Sequence, residues 1–532
     1  MFDLLIKNGT VADGSGVPVF KADVAVTGRE ITAIAPRLDY NAKKVIDARG
    51  KLVTPGFIDI HRHADVKLFT KSFGEAELRQ GLTTIVNGNC GLSCVPCPQE
   101  HRAEILSFLR PVIGEAPLDA DFESFTDYMD SVKHTPLPLN VGMCVGNGTV
   151  RAATRGYATG KLSVAELAAA QGHLREALEG GALGVTLGIV YAPEYNYSAD
   201  DFVEVLQPMR EYDVPLVTHI RGEGDLFHRS LYEVIGIAKR LGVRLHISHF
   251  KCIGKRNWGH GVTRALQILD EARASGLEVD CDVYPYTAGS TQLIQILPPS
   301  YLEGGVPEII KRLSSHACRD ELREIFSRPS DDFENLVNSI GWENIRCTSM
   351  FCPESLQYLG KSVAEIAQLR GEDPCDTACN LLVGEECNIS MVDFITAEED
   401  VRRVLCSPLS SVISDAVYPA GGVPHPRLYA AFPKVLTDYV RKEHILPLET
   451  AINKMTAKPA GVYRLPKKGL LKVGFDADIN IFALENLSAP ASYEDPMQFC
   501  GGFDYIFVNG RLAVEHDKLT QVFAGGLLKR QK

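Results

Sequence analysis

Thr54-Pro55-Gly56-Phe57-Ile58-Asp59-Ile60-His61-Arg62-His63 reads as a turn at Pro55-Gly56 opening into a short buried strand that ends in two histidines. Alternate side chains of a strand share a face, so Phe57, Asp59, His61 and His63 are expected to point one way and Ile58 and Ile60 the other. Two imidazoles on one face at a strand end can grip one metal ion, with further ligands arriving from elsewhere in the fold. The plain alternative is a pair of polar residues in a strand-end loop, and an isolated His-x-His does not decide between them. The rest of the chain does.

Downstream of this stretch, strand-like runs alternate with helical ones. The strand-like runs are 83–87, 139–145, 182–187, 214–219, 244–249, 278–284 and 411–415, with helical stretches such as 164–178, 230–241 and 263–275 between them. Added to the opening strand they make eight, the count of an α/β (β/α)8 TIM-like barrel. An open doubly wound sheet is the alternative, but no Gly-x-Gly-x-x-Gly fingerprint follows the early strands.

The two ends of the chain share another texture. Residues 1–54 read as short strands at 4–7, 22–26, 31–34 and 44–47, with turns at Asn8-Gly9, Asp13-Gly14 and Arg49-Gly50. Strands at 478–482 and 505–510 have the same look. We expect residues 1–54 and 466–532 to form one small β-sandwich domain around a barrel spanning 55–465. Residues from about 299 to 385 interrupt the alternation, with charged amphipathic helices at 307–313 and 319–326 and a strand at 345–351. This excess predicts a small α/β insertion before the last barrel strand, placed as a lid at the mouth.

Composition narrows the function classes. The 532 residues are 45% hydrophobic and 23% charged, as in a soluble globular protein with a sizeable core. A formal charge of −12 argues against nucleic acid as a partner. A small anionic substrate stays compatible, because the field inside a cleft can oppose the global sign. No apolar run is long enough for a membrane span, and residues 1–9 read as a strand and turn rather than a signal peptide. The 14 cysteines are therefore expected as reduced thiols in the cytoplasm. Oligomeric state is left open, a homo-oligomer included.

Barrel enzymes carry their chemistry at the C-terminal ends of the strands. Those positions hold His61, His63, Cys90, His219, His249 and Asp415. A lone histidine at such a place is readily a satisfied core group; four histidines, a cysteine and an aspartate converging on one rim point to a metal centre with an acid/base residue. His246 is expected to face away from the rim, and His101, His134, His173, His316, His444 and His516 lie in polar surroundings typical of a surface. His228 and His260 follow barrel strands within loops. Cys94 and Cys97 have Cys-x-x-Cys spacing but no matching second pair, since Cys347 and Cys352 are spaced differently.

Several motifs carry a family resemblance. They are residues 53–63, Gly88-Asn89-Cys90-Gly91, Ile247-Ser248-His249-Phe250-Lys251, Asp282-Val283-Tyr284-Pro285-Tyr286-Thr287, Ser414-Asp415 followed by His425-Pro426-Arg427, and Tyr493-Glu494-Asp495-Pro496. In this order, over nearly the whole chain, they resemble the D-aminoacylase (N-acyl-D-amino-acid deacylase) family of the amidohydrolase superfamily. The resemblance implies the barrel, the β-domain from both ends and the insertion. It also implies one tight Zn2+ on Cys90, His219 and His249, with His61 and His63 forming a second, weaker position. Lys251, Tyr284 and Arg427 would clamp a substrate carboxylate, with Ser290 beside them. Hydantoinase-like relatives bridge two metals with a carboxylated lysine; residues 181–187 contain no lysine. The chain departs from the family pattern at Ala64, where an acidic residue often stands, at Phe250, often a histidine, and at Asn147, also often a histidine.

The expected reaction is zinc-dependent hydrolysis of the amide bond of an N-acyl-D-amino acid, a small molecule, giving a carboxylate and a free D-amino acid. Asp415 can take a proton from water and return it to the departing amine. The D-configuration rests on the resemblance alone. Opening a cyclic amide or removing an N-carbamoyl group would use the same metal and the same aspartate. A catalytically inert scaffold would have lost ligands, whereas all six rim positions hold competent residue types.

Overall fold

The computed structural model describes residues 1–117 and 121–531. Its centre is a parallel barrel of eight strands, Phe57–Asp59, Leu82–Asn87, Asn140–Met143 continuing as Val145–Gly146, Val185–Gly188, Pro215–His219, Arg244–Ile247, Val279–Val283 and Ser410–Val412. Each pairs in parallel with the next. Strand three changes partner at Cys144: its first half pairs with strand two, its second with strand four. The ring closes where Arg62 bridges Ala416 beyond the ends of strands one and eight.

The opening strand is shorter than its sequence suggests. Its ladder stops at Asp59, and the backbone of His61–His63 instead joins the end of strand two to the loop after strand eight. Arg62 N donates to Val86 O at 3.1 Å, His63 N to Ala416 O at 3.0 Å, and Asp415 N to His61 O at 3.0 Å. The histidines are therefore fixed by backbone bonds to strand two on one side and to the loop after strand eight on the other. Gly56 is required just before them, because a Cβ there would sit 2.1 Å from the Thr83 hydroxyl.

Helices cover the barrel where apolar periodicity and capping residues coincide. Val164–Gly180 starts at Ser163, whose hydroxyl accepts from Glu166 N while Glu166 returns a bond to Ser163 N. It ends at Gly181, where φ is +108°. Phe227–Leu241 and Gly261–Ala274 follow strands five and six as expected.

Both chain ends contribute to one nine-stranded sheet, in which Leu52–Pro55 pairs in parallel with Phe2–Val11 on one side and antiparallel with Ile479–Phe482 on the other. Its core holds Ile6, Val24, Val53, Ile479 and Phe507. It meets the barrel through Phe57, whose ring packs on Phe432, Phe482 and Phe503 at 6.0–6.4 Å, and through Asp478, which accepts from Asn140 Nδ2 at 3.1 Å and pairs with the buried Lys468 at 2.6 Å.

Between strands seven and eight the chain leaves the barrel. Ala288–Gln292, Ser390–Phe394 and Ile345–Cys347 form a three-stranded antiparallel sheet. Gly305–Leu313 and His316–Phe326 are helices on this excursion. The excursion covers the barrel mouth: Ser290, Thr291, Glu334, Met391, Asp393 and Ile395 all line the cavity above the strand ends.

Candidate active site

Three strand-end residues have left-handed backbones, Cys90 at φ 55°, His249 at φ 35° and Asp415 at φ 53°. Such conformations are costly for residues other than glycine and persist only where surrounding bonds over-determine them. Here the bonds are visible. Asp415 N donates to His61 O, His249 N to an Asp282 carboxylate oxygen, and Gly91 N, next to Cys90, to Thr186 Oγ1 at 3.0 Å. The Cys90 loop is also pressed against strand four, where a Cβ on Gly188 would lie 2.0 Å from Cys90 O. Buried Asp65 clamps the same loop by accepting from Gly88 N at 3.4 Å and Cys94 N at 3.2 Å.

The result is one constellation. Ligand-type atoms of Cys90, His219 and His249 lie within 4.8 Å of one another, and so do those of His61, His63, Cys90 and Asp415. The two groups share Cys90. Its sulfur is 3.2 Å from His61 Nε2 and 3.4 Å from His249 Nε2. Asp415 Oδ1 is 3.3 Å from His61 Nε2 and 3.5 Å from His63 Nε2. All six side chains are buried.

Electrostatics suit a cation. Burial pushes His63 down to about 4, and burial likewise holds His219 and His249 below the ordinary imidazole range, so these rings keep a lone pair to offer. Burial and the Asp415 charge push the Cys90 thiol up; a cation in direct contact is what turns such a thiol into a thiolate. Burial alone would raise the Asp415 carboxyl, but Arg427, His61 and His63 together hold it well below the carboxylate range. Among the described residues, buried His63 Nδ1 and His219 Nδ1 have no hydrogen-bond partner. One thiol sulfur with imidazole nitrogens and an adjoining carboxylate is a donor set that fits zinc.

The residues expected to hold a substrate carboxylate surround the same cavity, which encloses about 760 Å³ including its open part. Lys251 Nζ lies 2.7 Å from Glu223 Oε2. Arg427 Nη1 lies 3.0 Å from Asp415 Oδ2, and its Nη2 donates to Ser290 O at 3.1 Å. The Tyr284 ring stands beside both cations, 4.7 Å from Arg427 Cζ and 5.8 Å from Lys251 Nζ, and its buried hydroxyl has no hydrogen-bond partner among the described residues. Lys251, Tyr284 and Ser290 line the cavity wall, while Arg427 sits behind Asp415.

His246 is buried against Asp280 and Asp282 of the next strand, one layer behind the site. The His228 and His260 rings bond to the backbone carbonyls of Gly261 and Trp258 and stand outside the cavity. Cys94 and Cys97 join no metal-ligating group among the described residues. Two residues to which the sequence reading assigned no role are central. Glu223, in the glycine-flanked loop after strand five, contacts His219, His249 and Lys251. Asp282, the penultimate residue of strand seven, accepts from His249 N and lies 3.5 Å from His61 Nδ1. The signal for Glu223 was its position four residues past a strand-end histidine.

Comparison with known proteins agrees with this geometry. Residues 44–140 and 363–511 match the amidohydrolase family. The D-aminoacylase of Alcaligenes xylosoxydans xylosoxydans is 32% identical, with 99% of this chain and 98% of that one aligned. The N-acyl-D-glutamate deacylase of the same organism is 32% identical over 96% and 93%. The crystal structure of N-acyl-D-glutamate deacylase from Bordetella bronchiseptica, complexed with zinc and a phosphonate mimic of the reaction tetrahedral intermediate, superposes with a TM-score of 0.84 at 29% identity over 99% of each chain. The chain belongs to the D-aminoacylase (N-acyl-D-amino-acid deacylase) family of amidohydrolases.

Proposed function

We propose that the protein hydrolyses the amide bond of N-acyl-D-amino acids with zinc held by Cys90, His219 and His249, and with His61 and His63 completing a second, weaker position. The observation that carries this reading is the convergence of one cysteine, two histidines and an adjacent ionised Asp415 at the mouth of a lidded barrel. Zinc bound there supplies a Lewis acid that polarises an amide carbonyl and makes water easier to deprotonate.

The remaining work falls to the chain. Asp415 takes a proton from water and delivers it to the departing amine nitrogen, and its buried contact with Arg427 keeps it ionised in the resting state. Lys251, Tyr284 and Ser290 line the wall where the substrate carboxylate would rest, and Arg427 reaches that wall through Ser290. The excursion between strands seven and eight contributes Ser290, Glu334, Met391 and Asp393 to the cavity wall, where a bound substrate would displace water from the reacting groups.

In the same reading residues 1–54 and 466–532 form the β-domain, which the shared nine-stranded sheet supports, and 55–465 the barrel; the insertion expected at about 299–385 is wider, because its sheet begins at Ala288–Gln292 and ends at Ser390–Phe394. No helix among the described residues is long and apolar enough to cross a membrane. The 14 unpaired cysteines support a reducing, cytoplasmic setting.

The test is a panel of N-acetyl, N-formyl and N-carbamoyl forms of D- and L-amino acids presented to the zinc-loaded protein. Release of free D-amino acid from N-acyl forms is expected. Turnover confined to N-carbamoyl forms, or to L-isomers, would refute the assignment.

A further inference from the structure

We propose that Glu223 is a positioning residue for the metal centre: it fixes the ring state of His249 and keeps Lys251 from competing for the same nitrogen. This rests on the reading of Cys90, His219 and His249 as metal ligands.

Glu223 is 5% exposed, between Gly222 and Gly224. Its loop is pinned to the loop after strand six, where Ile253 N donates to Glu223 O at 2.8 Å. Its Oε1 lies 3.0 Å from His249 Nδ1 and 2.8 Å from Lys251 Nζ. Its Oε2 lies 2.7 Å from the same Nζ and 3.6 Å from His219 Nε2.

A neutral imidazole has one N–H, and an ionised carboxylate can only accept. The contact between Glu223 Oε1 and His249 Nδ1 therefore needs the hydrogen on Nδ1. That leaves the lone pair on Nε2, the nitrogen facing the Cys90 sulfur at 3.4 Å. Lys251 complicates this choice, because its Nζ is also 2.9 Å from His249 Nδ1. An ammonium has donors only, so Nδ1 cannot carry a hydrogen and also accept one from Lys251. Glu223 resolves the conflict by accepting from both. Without its charge, Lys251 becomes the strongest donor beside Nδ1, the ring hydrogen moves to Nε2, and the lone pair needed by the metal is lost. Carboxylates that orient a ligating histidine in this way are worth about 10–100-fold in metal affinity.

The experiment is zinc binding by the full-length protein in competition with a chromophoric chelator, without substrate. Glu223→Gln is expected to bind zinc about 10–100-fold more weakly than the parent. Adding Lys251→Met to that variant removes the competing donor and restores most of the affinity. A purely structural role would not produce this rescue. Glu223→Gln binding within twofold of the parent, or a double variant no tighter than the single, would overturn the proposal. Nitrogen NMR of the histidine-labelled parent in its metal-free state gives a check that needs no variant. His249 should carry its hydrogen on Nδ1, and finding it on Nε2 overturns the proposal even if the variants do not fold. Because no substrate is used, a protein that binds zinc but hydrolyses nothing in the panel refutes the substrate assignment and leaves Glu223 untouched.

Discussion

Arg427 Nη1 lies 3.0 Å from Asp415 Oδ2, with Arg427 only 1% exposed. The pair couples the proposed proton carrier to the proposed carboxylate clamp, so changing the arginine should alter acid/base behaviour as well as binding.

The sign of that effect follows from the charge. Burial raises the Asp415 carboxyl and Arg427 is the largest influence lowering it. Activity that needs ionised Asp415 is present above its pKa and lost below it. Arg427→Met should therefore move the acid limb of the kcat/KM profile upward by about 1–3 pH units, together with a higher KM. An acid limb that stays in place would show that the arginine does not tune Asp415.

Asp415→Asn should retain zinc and lose about 10²–10⁴-fold in kcat. Asparagine suits this test because it tolerates the left-handed backbone that Asp415 adopts at φ 53°. Metal analysis alongside turnover separates loss of the acid/base group from loss of zinc.

Removing metal with a chelator should abolish turnover, and re-addition of one equivalent of zinc should restore it. His61→Ala should keep the tight zinc with weakened activity, while Cys90→Ala should lose it, since Cys90 belongs to both ligand groups. Equal zinc loss in the two variants would reverse the ranking of the two positions.

Arg62, between the two histidines, is fully buried, 3.1 Å from Asp59, 2.8 Å from Glu77 and within 2.6 Å of the Tyr418 hydroxyl. Arg62→Met leaves two carboxylates buried without their cation, at a cost of about 3–5 kcal/mol. Denaturant unfolding of the metal-free protein reads this directly.

His246 gives a prediction for stability against pH. Burial disfavours its charged form, but Asp280 and Asp282 outweigh this and raise it to about 10. Since the folded value is above the ordinary 6.5, the stabilisation is fully present below pH 6.5 and declines as pH rises toward 10. His246→Gln should flatten the unfolding free energy across that window while lowering it at pH 6.

Much of the site was legible because barrel strands announce their ends: an apolar run followed by His219, His249 or Asp415 marks the rim by itself. The partners of those residues were not. Lys251 and Glu223 meet across 28 positions, and Asp415 meets Arg427 through a loop, so neither pairing leaves a periodic trace. Arg62 read only as a spacer between histidines, since nothing local reveals a guanidinium buried against Glu77 and Tyr418. The strand Ala288–Gln292 was hidden because Ala-Gly-Ser-Thr-Gln lacks both apolar alternation and β-branched density.

The strand Leu52–Pro55 bears on the order of events during synthesis. One of its edges is satisfied by Phe2–Val11, already made, but the other is reserved for Ile479–Phe482. At about 5–20 residues per second, roughly 20–85 s of translation separate the two. For that time a nascent half-sheet presents an open hydrogen-bonding edge, which is sealed only when Ile479–Phe482 emerges. Truncation before Ile479 would leave that edge permanently available to other chains.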